Sequence, residues 1–174
     1  ILLKKLKHYG VRGVANDWFS NYLLDRQQFV YVSGQPSSSR PISHVVPQGS
    51  VLGPLLFLLY INDLPLVCGQ HITALLYADD TAIFIEGDDQ EILQGRVNNL
   101  MPKIAEWFSS NQLSLNTDKT CYQTYHSKQP NLELFVHING VQIDCVETVK
   151  YLGVFIDQNM KWKTHISKLE TTLS

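Results

Sequence analysis

The sequence has little charge and few cysteines. Charged residues make up 17% of the 174 residues, whereas 44% are hydrophobic, which excludes a disordered chain and provides for a core. The three cysteines and six histidines lack metal-ligand spacing, which excludes a zinc site and indicates reduced thiols. No apolar run is long enough to cross a bilayer. These absences predict an intracellular protein of the nucleus or cytoplasm that has no membrane partner.

The net charge of −2 gives no indication of nucleic-acid binding, but the charges are unevenly distributed. Residues 40–118 contain nine acidic and three basic residues, whereas residues 1–39 contain five basic and two acidic ones. An acidic middle attracts cations, so contacts to a nucleic-acid backbone would come from the flanks. A solvated acidic helix face explains part of this pattern equally well.

Hydrophobic periodicity and turn residues predict a mixture of helices and strands. Apolar residues at helical spacing predict helices over residues 1–9, 14–24, 52–62 and 90–108, with another beginning at 162. Asp88-Asp89-Gln90-Glu91 is typical of a capping box. Strands are predicted over residues 28–33, 42–46, 72–77, 81–85, 120–126, 135–138, 141–143 and 151–156. A turn is predicted over residues 34–39, and Asn139-Gly140 predicts a hairpin. The predicted fold class is α+β, a split βαβ layout with an antiparallel sheet backed by helices on one face.

Two adjacent carboxylates, Asp79 and Asp80, separate two apolar strands that are predicted to be buried. Neighbouring carboxylates repel each other, and a divalent cation would offset the repulsion. Oxygen ligands suit Mg²⁺, with Mn²⁺ as an alternative. Two such ions about 3.5–4 Å apart can clamp a phosphate during an in-line displacement. The alternative interpretation is a polar hairpin turn.

Three further segments contain residues suited to nucleotide chemistry. Gln48 and Gly49 lie in a loop that leads into a helix, where an amide and close backbone approach suit a base or sugar edge. Lys119 follows the acidic block and can neutralise or protonate a leaving phosphate. Gly153 lies within a predicted strand. Each has an ordinary structural explanation: a helix-start loop, a surface lysine and a strand kink.

Taken together, the segments resemble one family nearly end to end. The chain is similar to the polymerase domain of non-LTR (LINE-type) retrotransposon reverse transcriptases, near the jockey-like elements. The resemblance rests on these motifs in order: Tyr9-Gly10-Val11-Arg12-Gly13, Trp18-Phe19-x-x-Tyr22-Leu23, Pro47-Gln48-Gly49-Ser50-Val51-Leu52-Gly53-Pro54, Tyr77-Ala78-Asp79-Asp80, Leu115-Asn116-x-x-Lys119-Thr120 and Tyr151-Leu152-Gly153-Val154.

The resemblance implies an RNA-directed DNA polymerase that uses an RNA template, a DNA primer and dNTPs. It implies that two Mg²⁺ ions bind Asp79 and Asp80 and that Lys119 acts near the leaving phosphates. It also implies contacts to the nucleotide or template from Gln48, Gly49, Tyr77 and Ala78. The primer grip would be formed by Leu152 and Gly153.

One departure concerns the family's first metal-binding aspartate, which would precede Ile1. Asp17 and Asp25 do not follow an apolar strand and do not replace it. We therefore expect a palm that is truncated at the fingers and thumb and is inactive alone. Residues 1–161 would form partial fingers and palm, and 162–174 would start the thumb. A catalytically dead remnant or a nucleic-acid-binding scaffold is the main alternative, and a group II intron maturase ranks below it.

Overall fold

Five α-helices and twelve short strands alternate along residues 1–42, 49–125 and 132–173, which the computed structural model describes. The helices are α1 (Leu2–His8), α2 (Gly13–Leu23), α3 (Leu52–Ile61), α4 (Gln90–Ser110) and α5 (Lys163–Leu173). The strands are β1 (Arg26–Gln28), β2 (Tyr31–Val32), β3 (Gln35–Pro36), β4 (Arg40–Ile42), β5 (Ile72–Tyr77), β6 (Asp80–Ile85), β7 (Cys121–Tyr122), β8 (His137–Ile138), β9 (Val141–Gln142), β10 (Asp144–Cys145), β11 (Thr148–Tyr151) and β12 (Val154–Asp157). This mixture confirms the α+β class.

The five helices confirm the predicted ones to within a few residues at their ends. The start of α4 differs in detail from the predicted capping box. Asp89 is the N-cap, and its Oδ1 accepts a hydrogen bond from the Ile92 amide at 2.8 Å. In a complete capping box, a glutamate or glutamine at the third helical position accepts a hydrogen bond from the N-cap amide. That position is Ile92 here, so only the hydrogen bond to the Asp89 side chain forms.

The strands pair in twos among the described residues. Four of these pairs are antiparallel: β1 with β4, β2 with β3, β8 with β9 and β11 with β12. Strand β10 pairs with β7 in parallel, and β5 pairs with β6. One antiparallel sheet backed by helices is therefore not confirmed.

The strand predicted over residues 151–156 is wrong. Leu152 and Gly153, with φ of 47° and 86°, form a two-residue turn between β11 and β12. Positive φ at both central residues suits a tight hairpin, which reverses the chain where the apolar pattern predicted a continuous strand.

The turn predicted over residues 34–39 is too long. The chain reverses at Ser33 and Gly34, whose φ values are 50° and 79°, and Gln35 already pairs with Val32. The hairpin predicted at Asn139-Gly140 is confirmed, since β8 and β9 flank these two residues. Of the predicted strand over residues 42–46, only Ile42 lies among the described residues, and it ends β4.

The chain divides into two compact units. The first contains Ile1–Asp63 and Leu76–Thr81, and the second contains Leu64–Leu75 and Ala82–Ser174. Within the first unit, α1 packs against α2 and α3. Lys5 Nζ donates to Asp63 Oδ1 and to the Tyr60 carbonyl oxygen, both at 2.6 Å, and so ties α1 to the end of α3. Burial, followed by the Asp63 charge, raises the pKa of Tyr60.

The core of the second unit lies along α4. This helix buries Val97, Leu100, Met101, Ile104 and Trp107, a stripe at the predicted 3–4 spacing. Gly87 lies between β6 and α4, where a Cβ would approach Leu93 Cγ to 2.7 Å, so a larger residue would displace that side chain. Among the described residues, no helix is both long and apolar enough to span a membrane.

Candidate functional site

The candidate site is built on the hairpin of β5 and β6. Along β5, half-buried side chains alternate with exposed ones, as expected for a strand with one covered face. Ala78 and Asp79 connect the strands, and Ala78 has a φ of 49°. This left-handed conformation disfavours a residue with a Cβ. The turn therefore stores backbone strain at the centre of the motif, which is frequent at functional positions.

The carboxylates of Asp79 and Asp80 are both exposed. The prediction that their flanking strands are buried is only partly correct, because Leu75 and Phe84 are each 47% exposed. Solvent reduces the repulsion between exposed carboxylates, so the structure does not require a cation to offset a burial cost.

The donor chemistry nevertheless fits a divalent cation. Among the residues that the structure describes, neither Asp79 nor Asp80 accepts a hydrogen bond or pairs with a basic side chain. Up to four carboxylate oxygens are thus available, and Mg²⁺ prefers oxygen ligands. The described part of the chain contains no group of three or more His, Cys, Asp or Glu side chains placed to hold a metal. The hairpin therefore offers two ligands of a site that needs others.

Exposed apolar side chains lie on the same hairpin as these carboxylates. Tyr77, directly before the turn, is 61% exposed, and Leu75 and Phe84 are exposed on the same two strands. An exposed aromatic ring beside two carboxylates can contact a planar base or sugar while the carboxylates attract a cation.

The loop that precedes α3 is described only in part. Gln48 lies outside the described residues. Gly49 is exposed and has a φ of 78°, a conformation that glycine adopts without strain. Ser50 Oγ accepts a hydrogen bond from the Gly53 amide at 3.0 Å, and this bond helps to organise the first turn of α3.

Lys119 ends a short 3-10 turn, Thr117–Lys119. Its side chain is exposed and has no partner among the described residues. Asn116 holds the turn, because its Oδ1 accepts from the Lys119 amide at 3.2 Å and its carbonyl accepts from Thr120 Oγ1 at 2.7 Å. Sequence reasoning included Asn116 in the motif but assigned it no role.

Leu152 and Gly153 form the tip of the β11–β12 hairpin, and Leu152 is 46% exposed. Behind this tip, Lys150 Nζ lies 5.6 Å and Lys168 Nζ 6.0 Å from the ring centre of Phe155. The predicted site residues did not include these two cations. Residues 119–174 contain six basic and five acidic residues. This slight basic excess did not indicate which lysines lie near the ring of Phe155.

The structure brings only some of the predicted site residues together. Tyr77, Ala78, Asp79 and Asp80 share one turn, which belongs to the first unit, as does Gly49. Lys119 lies in the second unit. Leu152 and Gly153, which are adjacent in the sequence, also belong to that unit. The predicted roles of all these residues remain predictions.

Comparison with known proteins gives a family match over most of the chain. The model of the family described as reverse transcriptase (RNA-dependent DNA polymerase) matches residues 1–156. This match includes the Tyr77–Asp80 turn, Lys119 and the Leu152–Gly153 turn.

Relatives from Drosophila melanogaster agree with this match. The RNA-directed DNA polymerase from mobile element jockey is 28% identical over 156 residues, 86% of this chain and 17% of that protein. The probable RNA-directed DNA polymerase from transposon BS is 30% identical over 166 residues, 91% of this chain and 18% of that protein. The probable RNA-directed DNA polymerase from transposon X-element is 27% identical over 160 residues, 88% of this chain and 17% of that protein. The chain thus spans less than a fifth of the length of these curated relatives.

Proposed function

The chain belongs to the reverse transcriptase (RNA-dependent DNA polymerase) family, and from this we propose that it is most of the palm of a non-LTR retrotransposon polymerase. The family match over residues 1–156 and the α+β structure support this proposal. A split βαβ palm would extend over residues 1–161 with part of the fingers, and α5 would begin the thumb.

The proposed reaction is template-directed nucleotidyl transfer, in which a primer 3′-hydroxyl attacks the α-phosphate of a dNTP and pyrophosphate leaves. An RNA template, a DNA primer and dNTPs would be the partners. The observation that carries this proposal is the Tyr77–Asp80 turn, since it presents two exposed carboxylates inside the matched family region, and neither has a partner in the described part of the chain. Such chemistry depends mostly on positioning and electrostatic stabilisation.

Asp79 and Asp80 would hold divalent cations, Mg²⁺ or Mn²⁺. When bound, these ions supply a Lewis acid that stabilises charge on the reacting phosphate. Tyr77 and Ala78 would support the incoming nucleotide: the ring of Tyr77 is exposed for contact, and the small side chain of Ala78 leaves room. Gln48 and Gly49 would contact the dNTP or the templating base.

Two groups in the second unit would handle the phosphates and the primer. Lys119 is exposed and has no carboxylate partner among the residues that the structure describes, and it would neutralise or protonate the leaving phosphates. Leu152 and Gly153 would hold the primer 3′ end at the hairpin tip. Lys150 and Lys168 lie next to Phe155, behind that tip, and would attract the primer backbone.

Primer extension on an RNA template with Mg²⁺ tests this proposal. Because the described residues provide two neighbouring carboxylates and no third metal ligand, we expect no extension by the 174-residue chain alone. A polypeptide that continues further on both sides should extend the primer. Asp79→Asn should abolish that activity, whereas Asp88→Asn, at an exposed aspartate outside the hairpin, should preserve it.

A metal readout separates binding from catalysis. Mn²⁺ should broaden the NMR signals of residues 77–81, and Asp79→Asn combined with Asp80→Asn should remove the broadening. Broadening that persists in this double variant would place the metal elsewhere. The longer polypeptide could fold and bind Mn²⁺ at the turn and still not extend a primer. That result would favour the alternative that the chain is a catalytically inactive scaffold.

A further inference from the structure

A cavity of about 150 Å³ in the second unit is lined by none of the residues assigned a role above. One wall is the face of α4 that carries Arg96, Asn99 and Lys103, which follow one another at helical spacing. The opposite wall comes from the segment that leads into β5, and the full lining is Val67, Gly69, Gln70, Ile72, Arg96, Asn99, Leu100 and Lys103.

The lining of this cavity is basic, although it comes from the acidic middle of the sequence. Residues 40–118 contain three basic residues, and two of them, Arg96 and Lys103, line this one cavity. Among the residues that the structure describes, no carboxylate contributes to the lining. Within the described part of the chain, neither cation is paired with an acidic side chain. Arg96 donates one hydrogen bond, to the Glu86 carbonyl oxygen, which fixes its guanidinium while other N–H donors stay available.

We propose that this cavity binds a phosphate group. A guanidinium and an ammonium supply two positive charges, and the Gln70 and Asn99 amides add neutral donors for the remaining oxygens. Sites for whole small molecules usually occupy about 300–1,000 Å³, so the cavity suits a phosphate but not an entire nucleotide. The phosphate would come from a nucleic-acid backbone or from free inorganic phosphate.

The cavity lining shares no residue with the proposed catalytic groups, so phosphate binding is tested on the full 174-residue chain without any polymerase assay. Inorganic phosphate is titrated while the side-chain amide NMR signals of Asn99 and Gln70 are followed. Lys103→Gln should weaken phosphate binding about three- to tenfold, and Arg96→Gln about tenfold or more. Lys163→Gln removes another exposed lysine, on α5, and should leave phosphate binding unchanged.

A labelled single-stranded oligonucleotide identifies the source of the phosphate. If the source is a nucleic-acid backbone, Lys103→Gln should also weaken oligonucleotide binding and lower the slope of log affinity against log salt by about one. If the source is free phosphate, only inorganic phosphate binding should weaken.

Two results would overturn the proposal. The first is unchanged binding of both probes in Lys103→Gln and in the charge reversal Lys103→Glu. The second is binding of acetate as tight as that of phosphate. Arg96→Gln removes the contact to Glu86 and can unfold the chain. The two Lys103 variants therefore decide, because the Lys103 side chain is exposed and makes no hydrogen bond or ion pair with another described residue.

Discussion

At the scale of single residues, Leu152 has a backbone conformation that is unfavourable for its side chain. It has a φ of 47° and precedes Gly153 in a two-residue turn. The other two turns of this kind contain Ser33-Gly34 and Asn139-Gly140, and asparagine is a preferred residue at the first position. A leucine in the left-handed region costs about 1–2 kcal/mol. The turn therefore carries an apolar side chain that its backbone conformation disfavours. An exposed apolar side chain at this position suits a contact with another molecule.

Leu152→Asn should stabilise the chain by about 1 kcal/mol, because asparagine tolerates the left-handed conformation. Little burial is lost, since Leu152 is 46% exposed. The urea midpoint should rise at unchanged slope. Leu66→Asn, at an exposed leucine without positive φ, serves as the matched control and should give no gain. A lower midpoint for Leu152→Asn would show that packing of the leucine outweighs its backbone strain.

At the scale of secondary-structure elements, the sequence was a good guide to helices and a less consistent one to chain reversals, since the turn at Asn139-Gly140 was predicted but the turn at Leu152-Gly153 was not. Helix α4 followed from an apolar stripe repeated over several turns, a signal that a single Gly95 or Pro102 does not remove. Strand β11 and strand β12 were merged because the apolar run continues through Leu152, a residue that does not normally mark a turn. Local composition does not report a positive φ that tertiary structure imposes on a leucine.

The candidate site was likewise predictable from the sequence only in part. The carboxylate turn was predictable because Asp79 and Asp80 interrupt two apolar strands. Their exposure was not predictable, since burial of a strand depends on which other elements cover it. Likewise, the motif included Asn116, but only the hydrogen bonds of its side chain and carbonyl show that it holds the Lys119 turn.

The N-cap of α4 permits an element-scale prediction. Asp89 Oδ1 satisfies the Ile92 amide at the start of the helix, and its charge also interacts favourably with the helix dipole. Asp89→Ala should lower the free energy of unfolding by about 1 kcal/mol. Asp88→Ala removes the preceding exposed carboxylate and should cost close to nothing. Equal losses in the two variants, measured by urea denaturation, would contradict a specific capping role.

At the scale of the whole molecule, buried apolar side chains are unevenly distributed between the two units. Among the described residues, the first unit buries Leu6, Leu56 and Ile61. The second unit buries nine apolar residues, five of them on α4. Helix α2 in the first unit buries none, and its Trp18 is 50% exposed. Because burial supplies most of the stabilising free energy, the first unit should open at a lower free-energy cost.

Hydrogen exchange followed by mass spectrometry measures this difference directly. Amides in the middle of α4 should exchange at least about tenfold more slowly than those in the middle of α2, since both helices satisfy their amides internally but only α4 is anchored by burial. Low urea should remove the protection of α2 first. The Lys5–Asp63 pair belongs to the first unit, so Asp63→Asn should accelerate exchange in α1 and leave α4 unchanged. Loss of protection in α2 and α4 at the same urea concentration would mean that the two units unfold as one, and that the smaller core draws its stability from the larger.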